Sequence, residues 1–146
     1  MAADAHLIIE IVSPEGEPTH PRQNASTFVT QCGVLVRDCI PITVQEWHKP
    51  RHREVSYVGD AFKEMLWKKL MVNFLLPVPV VNPDEEERAI EELLKKVKKW
   101  ALQKMAELFK NWKNKLNTKF ISKGKTPDFK DGTYQKIKDD WDEFVA

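Results

Sequence analysis

Residues 82–120 read NPDEEERAIEELLKKVKKWALQKMAELFKNWKNKLNTKF, and this stretch decides the fold. Ile90, Leu94, Val97, Ala101, Met105, Leu108, Trp112 and Leu116 recur at helical intervals and lay a continuous apolar stripe along one face. Asn82 at the cap, Pro83 at the first helical position and Glu85 three residues after the cap predict the start. Asp84, Glu86 and Glu87 place negative charge at the positive end of the helix dipole, and Lys110, Lys113 and Lys115 crowd the other end. A helix over 83–119 would be about 55 Å long. That exceeds the ~38 Å width expected of a compact chain of this size, so the helix should protrude or kink.

Three shorter helices surround it. Phe28, Cys32, Leu35, Val36 and Cys39 share one helical face and predict a helix over 24–39, capped by Asn24 or Ser26 and ended by Pro41. Its β-branched content (Thr27, Val29, Thr30, Val34, Val36) also allows a strand. Asp60 is placed to cap a helix over 60–76, with Phe62, Leu66, Leu70 and Phe74 at strict i+4 spacing. Thr133 is placed to cap the last, 133–145, with Tyr134, Ile137, Trp141 and Phe144 on one face. That pattern is still running at Ala146, so the helical region 24–146 is expected to be excised from a longer protein. Residues 1–23 hold one β-branched run, Leu7–Val12, and a dense turn signal, 13–18. They read as a short strand or arm with no strand partner elsewhere. The expected class is mostly α: about four helices and an N-terminal strand or arm.

Composition narrows the function. The 146 residues are 42% hydrophobic and 31% charged, which excludes a wholly disordered or collagen-like chain. The longest uncharged apolar stretch, Leu70 to Pro83, carries three prolines and is shorter than the ~18–20 residues of a spanning helix, so no membrane insertion is expected. No basic n-region or apolar h-region opens the chain, so a reducing compartment is expected and Cys32 and Cys39 should be free thiols.

The net charge of +1 conceals an asymmetry. Residues 1–94 carry 9 basic and 15 acidic side chains, and residues 126–146 carry 3 Lys and 6 acids. Between them, residues 95–125 carry 11 Lys against the single Glu107. Ordinary solvated helix faces mix signs, and this one is almost single-signed. Such a row neutralises phosphates without reading sequence. Lys95, Lys96, Lys98, Lys99, Lys110 and Lys113 are placed opposite the apolar stripe, and Lys119, Lys123 and Lys125 extend the row. Asn111, Asn114 and Asn117 interleave and are candidates for base or sugar contacts.

Other constellations fail on spacing. Cys32, Cys39, His48 and His52 do not form a zinc site, because the cysteines are too far apart in sequence and Pro50 separates the histidines. Lys123-Gly124-Lys125-Thr126 mimics the tail of a phosphate-binding loop, but Lys119 stands where the first Gly is required. Asp139, Asp140, Asp142 and Glu143 read as the polar face of the last helix. No catalytic arrangement, metal site or cofactor is expected, and no small-molecule substrate.

The run Phe28-Val29-Thr30-Gln31-Cys32-Gly33-Val34-Leu35-Val36-Arg37, then Leu66-Trp67-Lys68-Lys69-Leu70, then Phe109–Phe120 occur as ordered blocks. With Lys123-Gly124-Lys125-Thr126-Pro127 and Trp141-Asp142-Glu143-Phe144-Val145, these blocks resemble the plant CACTA (En/Spm-type) transposase-associated proteins over residues 24–146. The resemblance implies a nuclear, transposase-derived protein without the catalytic acidic triad. It also implies a layout similar to Myb/SANT and trihelix domains, with residues 100–120 as the DNA-facing helix. The Trp spacing and the helix length depart from the Myb pattern, which favours phosphate contacts over base readout. Duplex DNA is thus the expected partner. The alternative is a protein-interaction or dimerisation module in which Trp141 and Phe144 dock a partner or a second copy.

Overall fold

The computed structural model describes residues 6–146; residues 1–5, the start of the expected arm, lie outside the described residues. The fold is mostly α, with four helices: α1 (Arg22–Cys39), α2 (Asp60–Met71), α3 (Glu86–Lys119) and α4 (Trp141–Val145). Four short strands, β1 (Leu7–Ile8), β2 (Ile11–Val12), β3 (Pro18–His20) and β4 (Phe74–Leu75), lie before α1 or just after α2. Two 3₁₀ turns, Ile121–Lys123 and Gln135–Asp140, link α3 to α4.

Several boundaries differ from the sequence reading. The helix expected over 60–76 stops at Met71, because Phe74 and Leu75 pair in parallel with Leu7 and Ile8. The N-terminal strand therefore has a partner after all, and β2 pairs antiparallel with β3. Residues 7–20 are docked on the helical core: Ile9, between β1 and β2, is fully buried there. The expected side-chain caps do not form. Asn24 lies inside α1, which starts at Arg22, and its amide donates instead to the Ile8 carbonyl at 2.9 Å. Gly59, rather than Asp60, precedes α2. Residues 83–85 form a turn in which the Glu85 N–H donates to the Asn82 carbonyl, so α3 begins at Glu86. The helix expected over 133–145 is a 3₁₀ turn followed by the five residues of α4.

The choice of helix for residues 22–39 follows from packing. Phe28, Cys32 and Val36, at i+4 spacing, are buried in the core that α1 shares with α3, a contact no two-residue alternation could supply. The hydroxyls of Thr27 and Thr30 donate to the carbonyls of Gln23 and Ser26, which satisfies them within a helix they would otherwise disfavour.

Two apolar clusters share α3 as a common wall. In the first, Phe28, Cys32 and Val36 of α1 meet Leu66, Trp67 and Leu70 of α2 and Val97, Ala101, Met105 and Phe109 of α3. The second is built on Trp112, Leu116 and Phe120, covered by Tyr134, Ile137 and Trp141. Tyr134 stacks on Trp112 at 6.2 Å, while Phe120 stands edge-on to both Tyr134 and Trp141. The β2–β3 turn is pressed against α3 at Gly16 (φ +94°), where a Cβ would stand 2.2 Å from the Lys96 carbonyl oxygen. Only glycine fits that approach.

Both cysteines are free thiols, Cys32 buried and Cys39 partly so. Burial pushes the Cys32 thiol up to about 12, against a weaker opposing pull from Lys104. An unfolded thiol ionises near about 8.5. Between those values the unfolded chain holds fewer protons than the folded one, so stability falls as pH rises. The expected slope from this group is up to about 1.4 kcal/mol per pH unit. Cys32→Ala should therefore lose stability less steeply than the parent above about pH 8.5, read as urea midpoints. Parallel slopes would contradict the assignment.

Candidate nucleic-acid interface

The lysines of α3 divide into exposed and engaged groups. Lys95, Lys96, Lys99 and Lys110 are exposed on α3, and Lys123 and Lys125 are exposed just beyond its end. Lys98 and Lys113 do not belong with them. Lys98 is half-buried and ion-paired with Glu64 of α2, whose carboxyl is held below its usual range chiefly by that hydrogen bond. Lys113 is also half-buried: its Nζ donates to the carbonyls of Val44 (2.9 Å) and Gln45 (3.0 Å) and lies 4.5 Å from the Phe109 ring centre. Burial pushes its pKa below the ordinary lysine range, against the nearby charge of Glu46. The reason is angular. Lys98 stands seven residues before Met105 and Lys113 four after Phe109, so both border the buried stripe, where a long stem packs while its ammonium finds a partner.

A different face of α3 is open. Asn111, Asn114, Lys115, Thr118 and Lys119 line a shallow groove that Lys123 closes at its end, and no carboxylate lines it. Lys119 also donates to the Tyr134 hydroxyl at 3.0 Å and lies 5.5 Å from the ring centres of Phe120 and Tyr134, which fixes its position. Lys115 and Thr118 were not among the expected site residues. Their signal was present, since Asn111, Lys115 and Thr118 recur at i, i+4 and i+7. Asn117 lies apart from this groove: it borders another, with Asn114, Phe144 and Val145.

The expected docking pair is largely engaged within the chain. Trp141 is 6% exposed and packs edge-on against Phe120 and Phe129, and Phe144 is half-buried 5.8 Å from it. Together they close the second cluster, so the open stripe expected at the C-terminus is covered from within. The basic connector 49–53 is largely exposed, with Arg53 paired to Glu46 at 2.7 Å. Among the described residues, no group of three or more His, Cys, Asp or Glu is placed to hold a metal, and no helix is long and apolar enough to cross a membrane.

The chain matches no family model, and comparison with curated proteins and solved structures gives no significant similarity. The site is therefore read from its own chemistry.

Proposed function

We propose that this chain is a non-catalytic DNA-binding domain that contacts duplex phosphates through the C-terminal half of α3 and the turn after it. The observation that carries this reading is the groove in which Lys115, Lys119 and Lys123 alternate with Asn111, Asn114 and Thr118, without a carboxylate among them. Cations set along a helix can each neutralise one phosphate, and amides and hydroxyls between them can bond sugar or phosphate oxygens. Lys95, Lys96, Lys99 and Lys110 are exposed on another side of α3 and stand outside this contact set. Lys98 and Lys113 leave the contact set, because their ammonium groups are already held within the protein. The nuclear, transposase-derived setting implied by the resemblance belongs to the same proposal.

The test is fluorescence anisotropy with a random duplex across a salt series. Three groove lysines predict a log–log salt slope of about −3. Lys115→Glu with Lys123→Glu should weaken binding at least about tenfold and make the slope shallower by about 2. Lys119 is left intact in that variant because it also holds Tyr134. Lys98→Gln should leave the slope where it was. Absence of duplex binding at about 50 mM salt would end the DNA reading, since electrostatic contacts are strongest there.

Protein docking is the second reading, on a different surface from the one expected. Val72, Leu75, Val78 and Val80 are exposed in succession between α2 and α3, and Ile8, the neighbour of Leu75 across the β1–β4 pair, is 54% exposed. A partner seated there would bind the charge-reversed protein unchanged.

A further inference from the structure

A cleft of about 670 Å³ lies beside the groove, between the last turns of α1, the C-terminal third of α3 and the second 3₁₀ turn. It falls in the size range of small-molecule sites. Arg37 enters from α1, Lys115 from α3 and Lys136 from the 3₁₀ turn, and Asp38 is the only carboxylate in the lining. Asp38 pairs with Lys136 at 3.1 Å. Arg37 and Lys115 have no carboxylate partner among the described residues. Three cations against one anion leave a local excess of two positive charges.

The neutral groups of the lining are mostly donors or apolar. Asn111 and Thr133 supply an amide and a hydroxyl, and Val34, Leu108 and Ile137 supply an apolar wall. Trp112 is also part of the lining, is only 7% exposed, and holds its indole Nε1–H with no acceptor among the described residues. That nitrogen is itself shielded, so the indole serves the cleft as an apolar wall rather than as a donor to a ligand. Arg37 lies with its guanidinium 6.0 Å from the centre of the same indole. Gly33 makes room for that pose, since a Cβ there would stand 3.1 Å from Arg37 Nη1. A guanidinium beside an indole, with two ammonium groups in the same lining, suits a tetrahedral dianion.

We propose that this cleft is a binding site for a phosphate monoester, with Arg37, Lys115 and Lys136 on the phosphate oxygens and the Val34–Leu108–Ile137 wall against the organic part. A phosphate monoester carries close to two negative charges at neutral pH, which matches the local excess. The ligand is either a small organic phosphate or the 5′-terminal phosphate of a nucleic acid lying in the adjoining groove, with which the cleft shares Asn111 and Lys115. The site stands on its own lining, whether or not the groove binds duplex.

The test titrates the full chain with adenosine 5′-monophosphate, ribose 5-phosphate, adenosine, succinate, and a short oligonucleotide with and without its 5′-phosphate. Calorimetry gives affinity, and the Trp112 indole resonance reports whether a ligand is seated against that ring. Binding of the phosphate esters, at least about tenfold tighter than succinate or adenosine, with a shift of the Trp112 indole resonance, is the expected result. Arg37→Gln should cost about tenfold, and affinity should fall as pH drops through about 6, where the ester loses its second charge. A preference for the 5′-phosphorylated oligonucleotide over its 5′-hydroxyl form, and over ribose 5-phosphate, would assign the terminal phosphate as the source. The reverse order would assign the small ester. Equal binding of succinate and phosphate esters, or phosphate binding unchanged by Arg37→Gln in a protein that remains folded, would overturn the site. Loss of duplex binding alone would not, because the small esters are measured without DNA.

Discussion

Phe28→Ala is expected to lower the unfolding free energy by about 3–5 kcal/mol. Phe28 is fully buried, edge-on to Phe74 at 4.9 Å and 6.3 Å from Trp100, so one ring joins α1, β4 and α3. The void it leaves has little room to collapse. Phe74 is tied to Leu7 by strand pairing, and its neighbours on α3 belong to a helix continuous over 34 residues. Against a total stability of about 5–15 kcal/mol for an ordinary domain, such a loss would leave much of the protein unfolded at physiological temperature. Urea denaturation followed by tryptophan emission would measure it. A loss under about 1 kcal/mol would mean that Phe28 does not occupy the centre of this core.

Trp141→Ala carries a similar expected cost, about 3–5 kcal/mol, but a different distribution. Trp141 touches Phe120, Phe129 and Phe144, all in the second cluster, and none of the side chains of α1 or α2 in the first. Its loss should free the segment after Phe120 while Phe28, Leu66 and Met105 remain packed. Limited proteolysis should then cut between about residues 121 and 146, and amide exchange should accelerate there and not in α1. Uniform acceleration through α1 would show that the two clusters unfold as one unit. The Asp38–Lys136 ion pair across the seam is exposed, and its contribution is too small to enforce such coupling.

The helical residues were legible wherever periodicity was long. α3 ends at Lys119 as its stripe predicts, and Tyr134, Ile137 and Trp141 are buried together although their backbone is 3₁₀ for part of the way. That spacing survives because residues three apart share a face in either helix type. Strand β4 was illegible because Phe74 continues the i+4 series of Phe62, Leu66 and Leu70, and two residues are too few to show alternation. The capping pattern at Asn82 failed because it describes a turn as well as it describes a helix start. Of the groove's residues, Lys119 and Lys123 were already candidates on charge alone. Lys98 and Lys113 were misplaced, because a residue bordering an apolar stripe faces water or protein according to what packs beside it. The cleft could not be read at all: Arg37, Lys115 and Lys136 come from three separate elements and meet only in the fold.

The length of α3 has a consequence for how the molecule travels. Its 34 residues span about 50 Å. Asp84, Glu85, Glu86, Glu87, Glu91 and Glu92 crowd one end, while Lys110, Lys115, Lys119 and Lys123 gather toward the other. With a net charge of only +1, a polyanion exerts little overall pull on the protein but a considerable torque. If the groove takes a polyanion as proposed, this asymmetry would favour approach with the groove and the cleft leading, and added salt would weaken that steering.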